Sequence, residues 1–262
     1  MGHADFAYPE QVETLVLTAK EIPVHERLIV PLDDVADFDQ AKALVEELGD
    51  SVHFYKLGLE LLLAGGGFSG QYAGMVDWLV GRNKKVMVDL KIFDIERTVS
   101  AAVRQLKGHG ATFVTVHGNE NMLRAAVKEK NGVKILAVTV LTSLDQKDIE
   151  DLGFQTDIET LVLSRAQRAL QSGCDGVISS GREAARLRTD LGDRFLIVVP
   201  GIRPVENREV DDQKRVVDIE EAFENGADYI VIGRPIRNAP NPRAAAEVIQ
   251  RRIQSFFESR PY

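Results

Sequence analysis

Along this chain, short runs of β-branched and aliphatic residues alternate with longer stretches in which apolar residues recur three and four positions apart. The first pattern has the length of a buried strand, and the second is the stripe of an amphipathic helix. The strand runs are Leu28 to Leu32, His53 to Leu57, Lys85 to Lys91, Phe113 to His117, Lys134 to Leu141, Gly176 to Ser180, Phe195 to Pro200 and Tyr229 to Gly233. Helical stretches include Asp37 to Leu48, Asp94 to Lys107, Ile158 to Ser172, Ile219 to Asn225 and Pro242 to Phe257. Eight strand-then-helix units predict a parallel sheet with crossover helices. A length of 262 residues suits one closed α/β barrel, so the predicted fold is a single (β/α)8 TIM barrel spanning 1–262. Residues 1–26 precede the first strand and are expected to form a helical extension over the amino-terminal end of the barrel. Gly65-Gly66-Gly67 reads as a flexible turn, since no Lys or Ser/Thr follows at phosphate-loop spacing.

One strand breaks the apolar pattern. Lys85-Val86-Met87-Val88 reads as buried, yet Asp89, Lys91 and Asp94 follow where strand-forming residues would continue. Side-chain alternation aims Asp89 and Lys91 to one side of the strand, at its carboxyl end. Buried opposite charges must neutralise each other, so the pair is either a structural ion pair or part of an active-site charge network.

In a barrel of this kind, chemistry collects at the carboxyl ends of the strands. Polar residues stand there repeatedly: Asp33, Lys56, Asp89 with Lys91, His117, Thr142 with Ser143, Arg203, and Gly233 with Arg234. Singly, each has a plain structural explanation, such as a helix cap for Asp33 or a core histidine for His117. The ends of strands seven and eight, Pro200-Gly201-Ile202-Arg203 and Ile232-Gly233-Arg234-Pro235, look like phosphate sites. Glycine admits a ligand close to the backbone, and arginine offers a planar fork to phosphate oxygens. The polar stretch 203–217 between them has the length of an active-site lid.

Composition narrows the function class. Lys and Arg total 32 against 40 Asp and Glu, a net charge of -8, which implies no general affinity for nucleic acid or anionic membrane. No run of 18 apolar residues and no secretory-type leader is visible. The single cysteine, Cys174, rules out a disulfide within the chain, so a cytoplasmic location is expected.

The chain resembles the orotidine 5′-phosphate decarboxylase family from Leu28 to about Arg252. The resemblance is carried by Leu32-Asp33, Lys56-Leu57-Gly58, Asp89-x-Lys91-x-x-Asp94-Ile95, Thr139-Val140-Leu141-Thr142-Ser143, Pro200-Gly201-Ile202-Arg203, Asp212-Gln213-Lys214-Arg215-Val216 and Ile230-Val231-Ile232-Gly233-Arg234-Pro235-Ile236. A wider superfamily acting on sugar phosphates shares a similar Asp-x-Lys-x-x-Asp, but its metal-assisted members typically carry glutamate on the second strand. Here that position is Lys56. The motif also departs from the family's usual Pro-Asn after Ile95, with Glu96-Arg97 before Thr98. Glutamate in a first helical turn interacts favourably with the helix dipole, so the helix start survives.

The resemblance implies decarboxylation of orotidine 5′-phosphate to uridine 5′-phosphate, without metal or organic cofactor. It implies Lys91 as proton donor within a network of Lys56, Asp89 and Asp94, and Asp33 with Lys56 at the ribose. It further implies Thr142 and Ser143 at the pyrimidine edge, Gln213 bridging phosphate and pyrimidine, and Arg203, Gly233 and Arg234 at the phosphate. Asp94, Ile95 and Thr98 are expected to enter a neighbouring subunit's site, which makes the expected assembly a homodimer with composite sites. Two rivals are a metal-dependent sugar-phosphate lyase or aldolase and a phosphate-ligand-binding regulatory protein that has lost catalysis.

Overall fold

The computed structural model describes residues 22–64, 71–203 and 215–260. Eight strands, β1 (Leu28–Pro31), β2 (Phe54–Gly58), β3 (Lys85–Ile92), β4 (Phe113–Val116), β5 (Lys134–Val138), β6 (Gly176–Ile178), β7 (Leu196–Val199) and β8 (Tyr229–Val231), pair in sequence order into a closed barrel. Every pairing is parallel, including β8 back to β1. Around them, among the described residues, lie α1 (Phe38–Leu48), α2 (Leu59–Leu63), α3 (Gln71–Val80), α4 (Glu96–Arg104), α5 (Glu120–Val127), α6 (Gln146–Asp151), α7 (Ile158–Gln171), α8 (Ala184–Leu191), α9 (Ile219–Glu224), α10 (Arg234–Arg237) and α11 (Pro242–Glu258).

Helix starts follow local chemistry. Asp37, Asn119, Asp157 and Asn241 each accept a first-turn N–H with the side chain, and Asp145 and Asp218 form reciprocal capping boxes with Asp148 and Glu221. Such caps satisfy donors that a helix end otherwise leaves orphaned.

The pleat of the strands sorts the core into two layers. Tyr55, Leu57, Val86, Val88 and Val114 face outward and pack under the helices. Ile29, Phe54, Met87, Phe113, Leu136, Ile178, Val198, Tyr229 and Val231 fill the barrel interior. The rings of Phe54, Phe113 and Tyr229 meet at centroid separations of 5.1, 5.2 and 5.7 Å, two of the three contacts edge-on, so this interior is packed solid.

Of the expected amino-terminal helix, residues 1–21 lie outside the described residues, as does Gly65-Gly66-Gly67. The remainder is not α-helical: Val24–Glu26 form a single 3-10 turn, and Ile22 joins the inner cluster while its carbonyl accepts from Arg27 at 3.2 Å. No helix among the described residues is long and apolar enough to cross a membrane.

Strand β3 corrects the sequence argument in one respect. Val88 pairs with Val114 but Ile92 pairs with Val116, so four steps on β3 match two on β4. Lys91 adopts a left-handed backbone with φ of 46°. Alternation therefore carries Asp89 inward, whereas Lys91 reaches the same side through a bulge. A lysine held in that region costs about 1–3 kcal/mol, which the surrounding structure must offset.

Candidate active site

At the carboxyl ends of the strands the barrel opens into a cavity of about 490 Å³. Asp33, Lys56, Asp89, Lys91, Thr142, Ser143, Arg203, Gly233 and Arg234 all line it. Two residues along β2 from Phe54 stands Lys56, and two along β3 from Met87 stands Asp89. The same pleat that builds the apolar plug thus lifts these charges onto its upper surface.

Lys56 lies between two carboxylates. Its Nζ is 3.0 Å from Asp33 Oδ2 and 3.3 Å from Asp89 Oδ2. Lys91 Nζ donates to the same Asp89 Oδ2 at 2.8 Å. The other carboxylate oxygen of Asp89 accepts the Thr115 hydroxyl at 2.8 Å, and Thr115 Oγ1 in turn receives the Lys91 backbone N–H at 2.9 Å. Thr115 therefore clamps the bulge and the carboxylate together. Gly58 leaves room for this array, since a Cβ there would stand 2.9 Å from Asp33 Oδ1 and 3.2 Å from Lys56 Nζ.

Burial opposes the charged form of Lys56, but the charges of Asp89 and Asp33 and their hydrogen bonds outweigh it and raise its pKa above the ordinary lysine value. At Asp89 burial favours the neutral acid. The Lys56 and Lys91 charges, with hydrogen bonds from Lys91 and Thr115, reverse that and hold the carboxyl below its usual range. The array is therefore an alternation of ions, carboxylate and ammonium in turn, rather than a row of like charges sharing protons. An ammonium, Lys56, sits between the two carboxylates that would otherwise be the natural ligands for a cation.

The rim that continues from β1 is made by β8 and β7. Gly201 has φ of 76°, a turn that glycine adopts without strain, and Arg203 follows it, buried. Arg203 donates its backbone N–H to Val217 at 3.1 Å, and Ile202 and Val217 form a parallel bridge, so the two ends of the 203–217 stretch are joined. Gly233 packs against Pro31 so closely that a Cβ would fall 2.9 Å from the proline ring. Arg234 then opens α10 at the cavity wall.

A family model described as "Orotidine 5'-phosphate decarboxylase / HUMPS family" matches residues 26–249. The chain belongs to the orotidine 5′-phosphate decarboxylase / HUMPS family. It is 56% identical over 241 residues to the orotidine 5′-phosphate decarboxylase of Methylococcus capsulatus, covering 92% of this chain and 97% of that one. The corresponding protein of Xanthomonas axonopodis pv. citri is 47% identical, with 89% and 94% covered. Among solved structures, orotidine 5′-phosphate decarboxylase from Lactobacillus acidophilus superposes with a TM-score of 0.74 at 34% identity, covering 87% of this chain and 99% of that chain.

Three residues that the resemblance to the decarboxylase family assigns to a site stand outside this chain's own cavity. Asp94 is exposed and accepts the Ile95 N–H at 2.7 Å, Ile95 is 67% exposed, and Thr98 is exposed on α4. Gln213 lies outside the described residues. Glu96 and Arg97, which replace the family's usual Pro-Asn, are both exposed in the first turn of α4. His117 does not line the cavity; burial, and then the Arg165 and Lys91 charges, depress its pKa, and its ring packs edge-on against Phe93.

The structure also adds residues. Arg237, one helical turn beyond Arg234, lines the cavity and pairs with Asp34, which has φ of 52° and donates its N–H to Glu60 Oε2 at 2.8 Å. The spacing of Arg234 and Arg237 is a usable sequence signal, because residues three apart share a helix face. Nothing local in the sequence pairs Asp34 with a residue 203 positions away.

Proposed function

We infer that this chain decarboxylates orotidine 5′-phosphate to uridine 5′-phosphate, a carbon–carbon lyase reaction of pyrimidine nucleotide synthesis. The observation that carries this reading is the joined array Asp33–Lys56–Asp89–Lys91 in a cavity that is also lined by Arg203 and Arg234, each shortly after a glycine at the ends of β7 and β8. Its family relatives carry the same activity in their names.

In the proposed mechanism the bond between the ring carbon and the carboxylate breaks, carbon dioxide leaves, and the electron pair remains on the ring carbon. No adjacent carbonyl accepts that density. Lys91 stabilises it with its ammonium and then delivers a proton to the same carbon, forming the new carbon–hydrogen bond. Asp89 orients Lys91 through the 2.8 Å contact, and Lys56 reaches the same Asp89 oxygen at 3.3 Å. Asp33 and Lys56 meet the ribose, Thr142 and Ser143 meet the pyrimidine edge, and Arg203, Gly233 and Arg234 hold the phosphate, with Gln213 bridging phosphate and ring.

The energetics divide the labour. Large enzymatic rate gains reach about 23 kcal/mol, whereas one charge pair at about 4 Å in an effective dielectric near 20 is worth about 4 kcal/mol. The charged array alone falls short. Binding energy from the unreacting phosphate drives the desolvation and positioning of the reacting end.

The assembly proposed is a homodimer with composite sites. Asp94, Ile95 and Thr98 stand outside their own cavity, next to Phe93, which is 65% exposed, and this supports their delivery to a partner's site. Placement in a reducing cytoplasm accords with a lone, buried Cys174 whose thiol burial pushes up to about 12. A direct assay of orotidine 5′-phosphate disappearance tests the central reading. Activity that survives a strong chelator separates it from the metal-dependent lyase, and measured turnover separates it from a binding protein.

A further inference from the structure

Beyond Val138 the chain leaves the β5 ladder, yet the next three carbonyls do not turn to solvent. Arg165 of α7 donates to the Thr139 carbonyl at 2.7 Å, and Arg215 donates to those of Val140 and Leu141 at 3.2 and 2.9 Å. Leu141, Thr142 and Ser143 line the cavity, and the last two are the residues assigned to the pyrimidine. Arg215 is buried, and its other terminal nitrogen donates at 2.6 Å to Glu183, buried beside the start of α8. Two residues later Val217 joins Ile202 and accepts from Arg203. One guanidinium thus links α8, the end of β5, and the point where the 203–217 stretch rejoins the barrel.

A buried ion pair is weak as a stabilising device, because desolvation consumes most of the attraction, and here Glu183 Oε2 and Arg215 Nε remain buried without a hydrogen-bond partner. What such a pair does well is fix geometry. A rigid fork that serves two successive carbonyls and a carboxylate sets both the height and the tilt of the turn they belong to. The Leu144 N–H closes that turn onto the Leu141 carbonyl at 2.9 Å, and the Asp145 capping box holds its far end.

We propose that Arg215, held by Glu183, is a positioning residue that sets the Thr142–Ser143 turn and thereby the recognition of the pyrimidine ring. The proposal rests on the reading that this turn meets the ring. Its signature is selective: a ligand with the ring should feel the loss of Arg215, and one without it should not.

The test compares binding of uridine 5′-phosphate and ribose 5-phosphate to wild type, Arg215→Met and Ser143→Ala. Arg215→Met should weaken uridine 5′-phosphate about tenfold or more while changing ribose 5-phosphate less than about threefold, the scale of one or two displaced hydrogen bonds. Equal loss for both ligands means a general structural role, and loss for neither means the turn holds itself; either result overturns the proposal. If Arg215→Met does not fold, Arg215→Lys supplies the same comparison, since lysine keeps the charge against Glu183 but offers a point donor where two carbonyls need a fork. Ser143→Ala separates the two ideas. A ring-selective loss there with none in the Arg215 variant sinks the positioning role alone, whereas no selectivity at Ser143 sinks the reading of the turn and the proposal with it.

Discussion

Phe54 and Lys56 are two residues apart on one strand and face the same barrel interior, as do Met87 and Asp89 on the next. Below, three aromatic rings and their aliphatic neighbours fill the space. Above, two carboxylates and two ammoniums alternate in one chain of contacts, Asp33–Lys56–Asp89–Lys91, and space is left open. Apart from the bulge at Lys91, the two layers share the pleat of the same strands, so most of the difference lies in what the side chains do. The lower layer removes apolar area from water, worth about 25 cal/mol per Å², and asks only for shape. The upper layer recovers little, since ion pairing roughly offsets desolvation, and it adds a strained lysine backbone. Structure that costs stability above a plug that supplies it is the division expected of an active site on a scaffold.

The comparison breaks most sharply if the layers are interchangeable. Lys91→Ala should abolish measurable turnover while leaving the fold and uridine 5′-phosphate binding largely intact, because the substitution spares the residues proposed to hold the phosphate and ribose. Positioned acid catalysis alone contributes about 100- to 10,000-fold, so retention of more than about a hundredth of wild-type activity would remove Lys91 from its role. Phe54→Ala should show the converse. A large-to-small change at a buried ring costs about 3–5 kcal/mol, read as a lowered denaturation midpoint, with no group removed from the charged array. Equal effects of the two variants on stability would mean that the upper layer is structural.

A finer division runs across the cavity. On the proposed phosphate contacts, Gln213→Ala and Arg234→Ala should strongly weaken a phosphorylated substrate and leave the slow reaction of the phosphate-free nucleoside nearly unchanged, as the proposed partner is then absent. Comparable losses of kcat/KM on both substrates would show that these residues act on the ring or on folding.

The two layers were not equally legible in the sequence. The apolar layer follows from the short continuous runs of β-branched and aliphatic residues, and the strand boundaries at β2, β3 and β7 fall within a residue or two of those expected. Capped helices such as α1, α7 and α11 announce themselves through Asp37, Asp157 and Asn241-Pro242. Strand β5, expected to reach Leu141, stops at Val138 because arginines from α7 and from residue 215 take over its carbonyls, a competition no local pattern records. The bulge at Lys91 is equally silent, since lysine carries no preference for a left-handed backbone. Charged strand ends were visible one by one, but the order of the array, with Lys56 between Asp33 and Asp89, depends on register between strands. The short α10 spans barely one period, too little for an amphipathic signal.

Asp94 belongs to neither layer. It lies past the bulge and outside its own cavity, and the composite-site proposal gives it to a partner chain. Mixing inactive Lys91→Ala with inactive Asp94→Ala should then restore activity. In a heterodimer one site receives both defects and the other neither, so equal mixing places one intact site in about half the dimers, and recovery approaches about a quarter of wild-type activity per site. Verified heterodimers as inactive as their parents would confine Asp94 to its own subunit.

The smallest effect concerns acid. Asp89 has its pKa depressed in the folded protein by Lys56 and Lys91 and by hydrogen bonds, against the opposing effect of burial. A group depressed on folding contributes stability that is fully present above its unfolded value, about 3.9, and is lost as pH falls through the lower folded value. Asp89→Asn removes that dependence. The melting temperature of wild type should therefore exceed that of Asp89→Asn by its widest margin near neutral pH, and the margin should shrink on acidification below about pH 4. The inner plug has no titrating group in that range, so Phe54→Ala should hold a nearly constant deficit across the same pH series. If instead the Asp89→Asn margin stays flat while Phe54→Ala varies, the carboxylate is not held ionised by its two lysines, and the contrast between a charged upper layer and an inert lower one fails at its central residue.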